Sequence, residues 1–313
     1  EAVLASSLRG QWNLEEVLPA DRELDFSRNF MPESLSRSKL APGLTAGEQR
    51  TLNQIYANQY ICMFGTVEEF ILRFLLVHGR PMLGEDDFRV RALLNFASEE
   101  AKHIHLFKRI HEAFVRGFPV ECRILVASDA LTRGILRHHP LAVGLIILMI
   151  EWMTQSHYVG SIRDDDDLDP LFKSLLKHHW MEEAQHAKLD TLIVDALAEG
   201  RSEDEINRVM DEFFVILGYF DRSFQVQARM NIDSLERALG RTVDNRRELE
   251  AHQYAAARWT FIGSGLVHPR SKATLESISP RAAARVAKVV ANNWAAAGKR
   301  SPAPPALQSA RAV

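Results

Sequence analysis

The amino-acid sequence predicts an all-α protein, a four-helix bundle with additional C-terminal helices. Three observations support this prediction. Helix-forming residues dominate the 313 positions, strand-like alternation of apolar and polar residues is scarce, and apolar residues recur at helical spacing over long stretches. No linker interrupts the middle of the chain, so we expect one helical domain.

Capping residues and helix breakers delimit the elements. Thr45 and Glu48 form a capping-box pattern at the start of the first long helix, and Gly79, Pro81 and Gly84 end it. The bundle helices are predicted near 46–77, 86–117, 138–162 and 169–199. Further helices are predicted near 203–238, 245–262 and 281–297.

These elements divide the chain into four regions. Residues 1–45 are expected to form an extended N-terminal arm, and residues 46–200 the bundle. Residues 201–300 are expected to add helices that pack on the bundle. The Pro- and Ala-rich tail, 301–313, is predicted to be disordered.

Composition excludes several classes of function. The net charge of −3 indicates neither nucleic acid nor an anionic membrane as a partner. Cys62 and Cys122 form no CxxC pattern, which argues against a disulfide framework and fits a cytoplasmic protein. No signal peptide is visible, and the most apolar run, 141–150, is too short to span a membrane.

The segment "LKHHWMEEAQH", 176–186, indicates chemistry. His179, Glu183 and His186 have i, i+4, i+7 spacing, so on a helix they lie within about 60° of one another. Such a stripe alone is also compatible with a polar surface. If the stripe faces the bundle core, Glu182 and Lys188 face away from that core.

The Glu-x-x-His unit of this stripe recurs earlier in the chain. Glu100 and His103 lie in "EEAKH", 99–103, and each is 83 positions before its counterpart, Glu183 or His186. A repeat of both residue types at one shift predicts two superposable helix pairs.

A third pair of residues obeys the same shift. Glu68 and Glu151 are also 83 positions apart, and Glu151 directly follows ten apolar residues. A carboxylate in such a setting is costly unless it is paired or binds a metal. Glu69 remains an alternative to Glu68, although the same shift takes it to Trp152.

The combined pattern predicts a dinuclear metal site. Four-helix bundles build such sites from one glutamate on each of two helices and Glu-x-x-His on the other two. His179 adds an imidazole without a counterpart, because Phe96 occupies the matching position. Asp190 is expected to orient His186 or to form a plain salt bridge, and Gln155 to line the cavity.

These residues resemble the ferritin-like diiron carboxylate superfamily. The His-x-x-x-Glu-x-x-His stripe is similar to the diiron N-oxygenases typified by p-aminobenzoate N-oxygenase, over about residues 46 to 200. All seven metal-ligand positions of that family are matched, by Glu68, Glu100, His103, Glu151, His179, Glu183 and His186. The flanking segments do not reproduce the substrate-pocket residues of the p-aminobenzoate enzyme.

The resemblance implies an O2-activating monooxygenase with two iron ions. It implies oxidation of an arylamine to hydroxylamine, nitroso and nitro compounds through a peroxo-diferric intermediate. Glu100 and Glu183 would bridge the irons, with Glu68 and His103 completing one and Glu151, His186 and His179 the other. An iron–manganese pair stays open, because carboxylate and imidazole ligands suit both metals.

The expected partners are a small-molecule amine and an external electron donor, either a ferredoxin or a flavin reductase. A homodimer is also expected. Two alternatives remain: a diiron oxygenase that performs C-hydroxylation or desaturation, and a ferritin-like iron-handling protein. The second is weaker, because ferritin-type sites do not need His179. Arg229 and Arg258 are among the candidates for binding a substrate carboxylate.

Overall fold

The computed structural model describes residues 2–19, 21–80, 84, 87–125 and 129–294. This described part is helical and contains no strand; its only ladder contact is an isolated bridge between Asn29 and Leu168. The predicted all-α class is therefore confirmed. None of the described helices combines the length and apolar character of a membrane span.

The helices follow one another with short connections. They are α1 (Ala2–Gly10), α2 (Leu14–Val17), α3 (Glu33–Ser36), α4 (Ala46–Gly79), α5 (Asp87–Gly117), α6 (Asp129–Leu136), α7 (Pro140–His157), α8 (Pro170–Ala198), α9 (Glu203–Leu239), α10 (Arg246–Arg258), α11 (Ser264–Leu266), α12 (Pro269–Ile278) and α13 (Pro280–Trp294). A 3₁₀ turn spans Ser38–Leu40, and π-helical segments span Tyr158–Ile162 and Trp259–Gly263.

Helices α4, α5, α7 and α8 form the four-helix bundle, with α4 packed along α5 and α7 along α8. Their ends agree with the sequence prediction to within a few residues. Local capping explains two of these starts: Thr45 accepts a hydrogen bond from the Glu48 amide, and Asp169 accepts one from the Phe172 amide. The apolar run of α7, 141–150, is buried throughout.

The N-terminal region differs from its prediction. Residues 1–45 were expected to be an extended arm, yet their described part includes α1, α2, α3 and a 3₁₀ turn. Helix α1 forms because a short run of helix formers buries Leu4 and Ser7 against the bundle. Further along, Asn53 of α4 binds the backbone of Phe30 and Met31, which holds the connecting chain in place.

The C-terminal helices pack on the bundle. Helix α9 contacts α4 and α7, and α10 lies along α9. The predicted helices near 203–238, 245–262 and 281–297 correspond to α9, α10 with its π-helical segment, and α13. Helices α6 and α12 are short and were not predicted. The tail, 301–313, lies outside the described residues.

A buried histidine joins α4, α7 and α11. His157 Nδ1 lies 3.1 Å from the Tyr60 hydroxyl, and its Nε2 lies 3.0 Å from Ser264 Oγ. Burial, together with the nearby His268, lowers the pKa of His157 to about 3. At the pH where this ring begins to gain a proton in the unfolded chain, the ring in the folded protein therefore stays neutral.

This histidine makes stability fall in acid. The unfolded ring protonates below about pH 6.5, while the folded ring resists protonation down to about pH 3. Its effect is therefore absent above pH 6.5 and grows as the pH falls, at up to ~1.4 kcal/mol per pH unit. We expect His157→Gln to weaken this pH dependence, as measured by urea unfolding at pH 7.5 and 5.0. His105→Gln, at an exposed position on α5, is the control, and equal slopes in the two variants would contradict the prediction.

Candidate metal centre

All seven sequence-predicted ligands lie inside the bundle. Glu68 is on α4, Glu151 is on α7, and the two Glu-x-x-His units are on α5 and α8. Each of the seven side chains is 2% exposed or less. The stripe on α8 is therefore part of the core and is not a solvated face.

Six of the seven form two overlapping groups whose nitrogen and oxygen atoms lie within 4.8 Å of one another. The first group consists of Glu68, His103, His179 and Glu183. The second consists of Glu100, His103, Glu183 and His186. Each group has the donor types and the spacing that could hold one metal ion.

Glu183 lies between the two groups. Its Oε1 is 3.0 Å from His103 Nδ1 and 2.9 Å from His179 Nε2, while its Oε2 is 3.0 Å from His186 Nδ1. One carboxylate thus presents an oxygen to each position, as a bridging ligand does. An imidazole nitrogen binds a single ion, so His103 can serve only one of the two positions.

His179 lies on the Glu68 side of the cluster. Its Nε2 is 3.1 Å from Glu68 Oε1, so it belongs with Glu68 and His103 and not, as expected, with Glu151 and His186. Seven residues of helix span roughly 10 Å along the axis. A stripe of that length reaches both positions, and for this reason spacing could not assign His179 to one of them.

Glu151 is in neither group but lies beside the second one. It is buried and hydrogen-bonds Glu183. Burial first, and then the negative charge of Glu183, raise the pKa of Glu151 well above its usual value. A proton on Glu151 relieves the repulsion between these two carboxylates.

The unsatisfied atoms of the cluster indicate what it fits. Buried atoms with no partner in hydrogen-bond geometry include Glu68 Oε2, both Glu100 oxygens, His103 Nδ1 and Glu183 Oε1. Several of these atoms are nevertheless about 3 Å from one another. When two atoms bind one ion at a right angle, each roughly 2.1 Å from the ion, the distance between the two atoms is about 3 Å as well. The residues present therefore fit a pair of metal ions.

The electrostatics agree with this fit. Burial lowers the pKa of His103, but Glu183 and Glu182 outweigh it and raise that pKa to about 9. The pKa of His186 is raised well above its usual value by the same kind of balance. Burial raises the pKa of Glu183, but His186 and His179 outweigh it and hold the pKa far below normal. Protonated imidazoles here supply the positive charge that metal ions would supply.

Two functional residues were missed by the sequence analysis. Glu182 was expected to face away, yet it is 1% exposed and its Oε2 accepts a hydrogen bond from His103 Nε2 at 2.8 Å. Glu99 Oε2 likewise accepts from His186 Nε2 at 2.9 Å. Glu99 and Glu182 are 83 positions apart, so the shift that identified the ligands could also have identified this pair. Lys188 is exposed, as expected.

Two weaker candidates are placed differently. Asp190 is buried, but its Oδ2 has no hydrogen-bond partner, and Glu99 holds the outer nitrogen of His186. Burial raises the pKa of Asp190 well above normal, and the neighbouring His186 opposes that rise. Gln155 Nε2 donates to the Trp180 carbonyl at 3.2 Å.

The chain is similar to solved structures of one kind of oxidase, at low sequence identity. No family model matches the sequence, and no curated protein matches it. Among solved structures, it is similar to an R2-like ligand-binding oxidase with an aerobically reconstituted metal cofactor after photoconversion, at 18% identity over 83% of this chain and 92% of that chain, with a TM-score of 0.46. A point mutant of an R2-like ligand-binding oxidase with an anaerobically reconstituted Mn/Fe cofactor is similar at 19% identity, over 83% of this chain and 91% of that chain, with a TM-score of 0.45. Similarity at this level assigns no activity to the chain.

The choice between Glu68 and Glu69 can be tested directly. Glu68 is buried in the cluster, whereas Glu69 is exposed on the same helix. We expect Glu68→Ala to lose one of two Co(II) ions bound per chain in an equilibrium titration. Glu69→Ala should retain both. Loss of an ion from Glu69→Ala alone would reverse the assignment.

Glu99 and Glu182, called here the outer glutamates because they accept from the outer nitrogens of His186 and His103, should affect metal affinity. Each fixes the ring orientation and the tautomer of a histidine, and loss of such a partner typically weakens metal binding 10- to 100-fold. We expect Glu182→Ala and Glu99→Ala each to weaken Co(II) binding by about that factor, measured by competition with a chelator. Glu112→Ala, at an exposed position on α5, is the matched control. Wild-type affinity in both buried variants would contradict the orienting role.

Proposed function

We propose that this chain is an O2-dependent oxygenase with two metal ions, either two iron ions or an iron–manganese pair. We further propose that it oxidises the nitrogen of an arylamine. The observation that most supports the dinuclear centre is the position of Glu183, whose two oxygens face two different groups of ligands. Carboxylate and imidazole donors suit both iron and manganese.

The chain's own residues would hold the ions and keep water away. Bound iron would supply dioxygen activation and redox chemistry. Glu183 would span the two ions, with Glu68 and His179 on one side and Glu100 and His186 on the other. Glu99 would keep a hydrogen on His186 Nε2, and Glu182 would keep one on His103 Nε2. The Nδ1 lone pair of each ring would then face the metal.

His179 supports amine oxidation among the possible oxygenations. It places a further imidazole beside Glu68 and His103, which makes that position richer in nitrogen. This additional histidine is the feature by which the sequence resembles the diiron N-oxygenases. C-hydroxylation and desaturation could use the other six ligands, so His179 is what separates the proposals.

A pocket beside the cluster supports an aromatic substrate. Its lining is apolar and aromatic, and consists of Met63, Phe64, Val67, Ile150, Phe220, Phe224 and Phe261. The Phe64 ring is 5.5 Å from the His179 ring, and Val67 and Ile150 directly precede the buried glutamates Glu68 and Glu151. The free volume is only about 10 Å³, so an arylamine would enter by turning the phenylalanine rings aside.

The pocket favours an uncharged substrate. None of its lining residues is charged. The two arginines considered from the sequence lie elsewhere: Arg258 pairs with Asp221 and lies over Trp294, and Arg229 is exposed. We therefore propose a neutral arylamine in place of one that carries a carboxylate.

The first oxygen insertion, from amine to hydroxylamine, needs two electrons that the amine does not provide. One atom of O2 goes to nitrogen, and the other leaves as water with two electrons and two protons. We propose that an external ferredoxin or flavin reductase supplies these electrons.

The first experiment is anaerobic loading with two Fe(II) per chain, followed by rapid mixing with ¹⁸O2 under optical detection. A visible band that decays faster when aniline is added, together with ¹⁸O in phenylhydroxylamine or nitrosobenzene, is the expected result. Benzoate is the control ligand, since it has the ring and a carboxylate but no amine. A band indifferent to amines would favour another oxygenation, and iron oxidation with no band and no product would favour iron handling.

His179 should matter for reactivity more than for folding. We expect His179→Ala to keep the wild-type thermal unfolding curve and at least one Fe(II) per chain, while the decay of the O2-induced band with aniline slows at least tenfold. The reason is that six ligands remain but one imidazole donor is lost. His105→Ala, at an exposed position on α5, is the control. Unchanged reactivity of the His179 variant would contradict its role.

A further inference from the structure

The N-terminal segment, residues 2–19, lies against both Glu-x-x-His helices. Helix α1 packs on α5 and α8, and α2 packs on α8. Two of its side chains, Ser7 and Trp12, are buried, at 3% and 7% exposure. Ser7 bonds Glu99, and Trp12 contacts Lys102, which pairs with Glu182.

Ser7 acts on the His186 side. Its hydroxyl donates to Glu99 Oε1 at 2.5 Å, and Asn95 Nδ2 donates to Ser7 Oγ at 2.7 Å. Glu99 uses its other oxygen to accept from His186 Nε2 at 2.9 Å. A continuous chain of hydrogen bonds therefore runs from α1 to a metal-site imidazole.

Trp12 acts on the His103 side. Its ring is stacked on the His103 ring, with centroids 6.0 Å apart and planes 13° apart. Its carbonyl accepts from Lys102 Nζ at 3.2 Å, and this ammonium also lies 3.9 Å from the centre of the Trp12 ring. Lys102 Nζ in turn pairs with Glu182 Oε1, whose partner oxygen Oε2 accepts from His103.

The two sets of contacts are parallel. On the His186 side, Ser7 shares the second oxygen of Glu99 with Asn95 Nδ2. On the His103 side, Trp12 holds Lys102, which pairs with the second oxygen of Glu182. With the N-terminal contact removed, each carboxylate has fewer constraints on its orientation and holds the direction of its imidazole less firmly. Ser7 reaches the cluster through Glu99, and Trp12 reaches it through Lys102 and Glu182.

We propose that Ser7 and Trp12 are positioning residues of the metal centre, so that the N-terminal segment determines the geometry and retention of the bound ions. The proposal rests on the proposed function to the extent that the cluster binds metal. It adds that the bundle alone does not complete the site, because residues 2–19, which precede all four bundle helices in the sequence, are needed as well.

Co(II) is the probe, because its visible spectrum reports ligand geometry and does not require turnover. Full-length wild type, Ser7→Ala, Trp12→Leu and Ser6→Ala are loaded, their visible spectra are recorded, and release of Co(II) to excess EDTA is timed. Ser6 is the matched control, since it is on the same helix and, among the described residues, its hydroxyl accepts from Arg9 and not from the cluster. We expect altered spectra and about tenfold faster release for Ser7→Ala and Trp12→Leu, at the lower end of the usual effect of outer partners.

A double-mutant cycle separates positioning from simple destabilisation. If Ser7 acts through Glu99, Ser7→Ala should add little to the spectrum and release rate of Glu99→Gln. Additive effects in that cycle would overturn the proposal, and so would wild-type spectra and release rates for Ser7→Ala and Trp12→Leu. A wild-type protein that binds no Co(II) would instead overturn the proposed dinuclear centre, and this inference with it.

Discussion

The structure depends on keeping a large group of ionisable side chains inside a bundle core. Isolated charges at such depth would cost far more than a domain's net stability. The cluster avoids this cost by mutual compensation: carboxylates raise the pKa of His103 and His186, and these rings hold Glu183 ionised. The long helices agree with the same constraint, because continuous helix pairs the backbone groups that surround the cluster.

The two halves of the bundle complete each other. Glu99 on α5 holds His186 on α8, and Glu182 on α8 holds His103 on α5. Each half thus supplies the outer partner of the other half's imidazole. The repeat visible in the sequence is consequently more than a duplicated pattern, since neither helix pair could orient its own histidine in this arrangement.

Elements outside the bundle act on the same centre from two sides. The N-terminal segment reaches the outer glutamates, whereas α9 and the π-helical segment after α10 provide Phe224 and Phe261 beside the cluster. The π-helical segment lies directly before Ser264, which bonds His157. Segments of this type often occur at functional sites, and here one directs an aromatic ring into the pocket wall.

The sequence by itself determined the all-α class, the bundle helices and seven buried residues of the centre, because helical periodicity and the 83-residue shift are local or pairwise patterns. Only the tertiary structure decided that Glu183 presents one oxygen to each group, that His179 lies with Glu68, and that Glu182 points inward. Periodicity gives the direction of a side chain relative to its own helix axis. The rotation of that helix against its neighbours depends on packing between distant segments, including α1, whose short signal was read as extended chain.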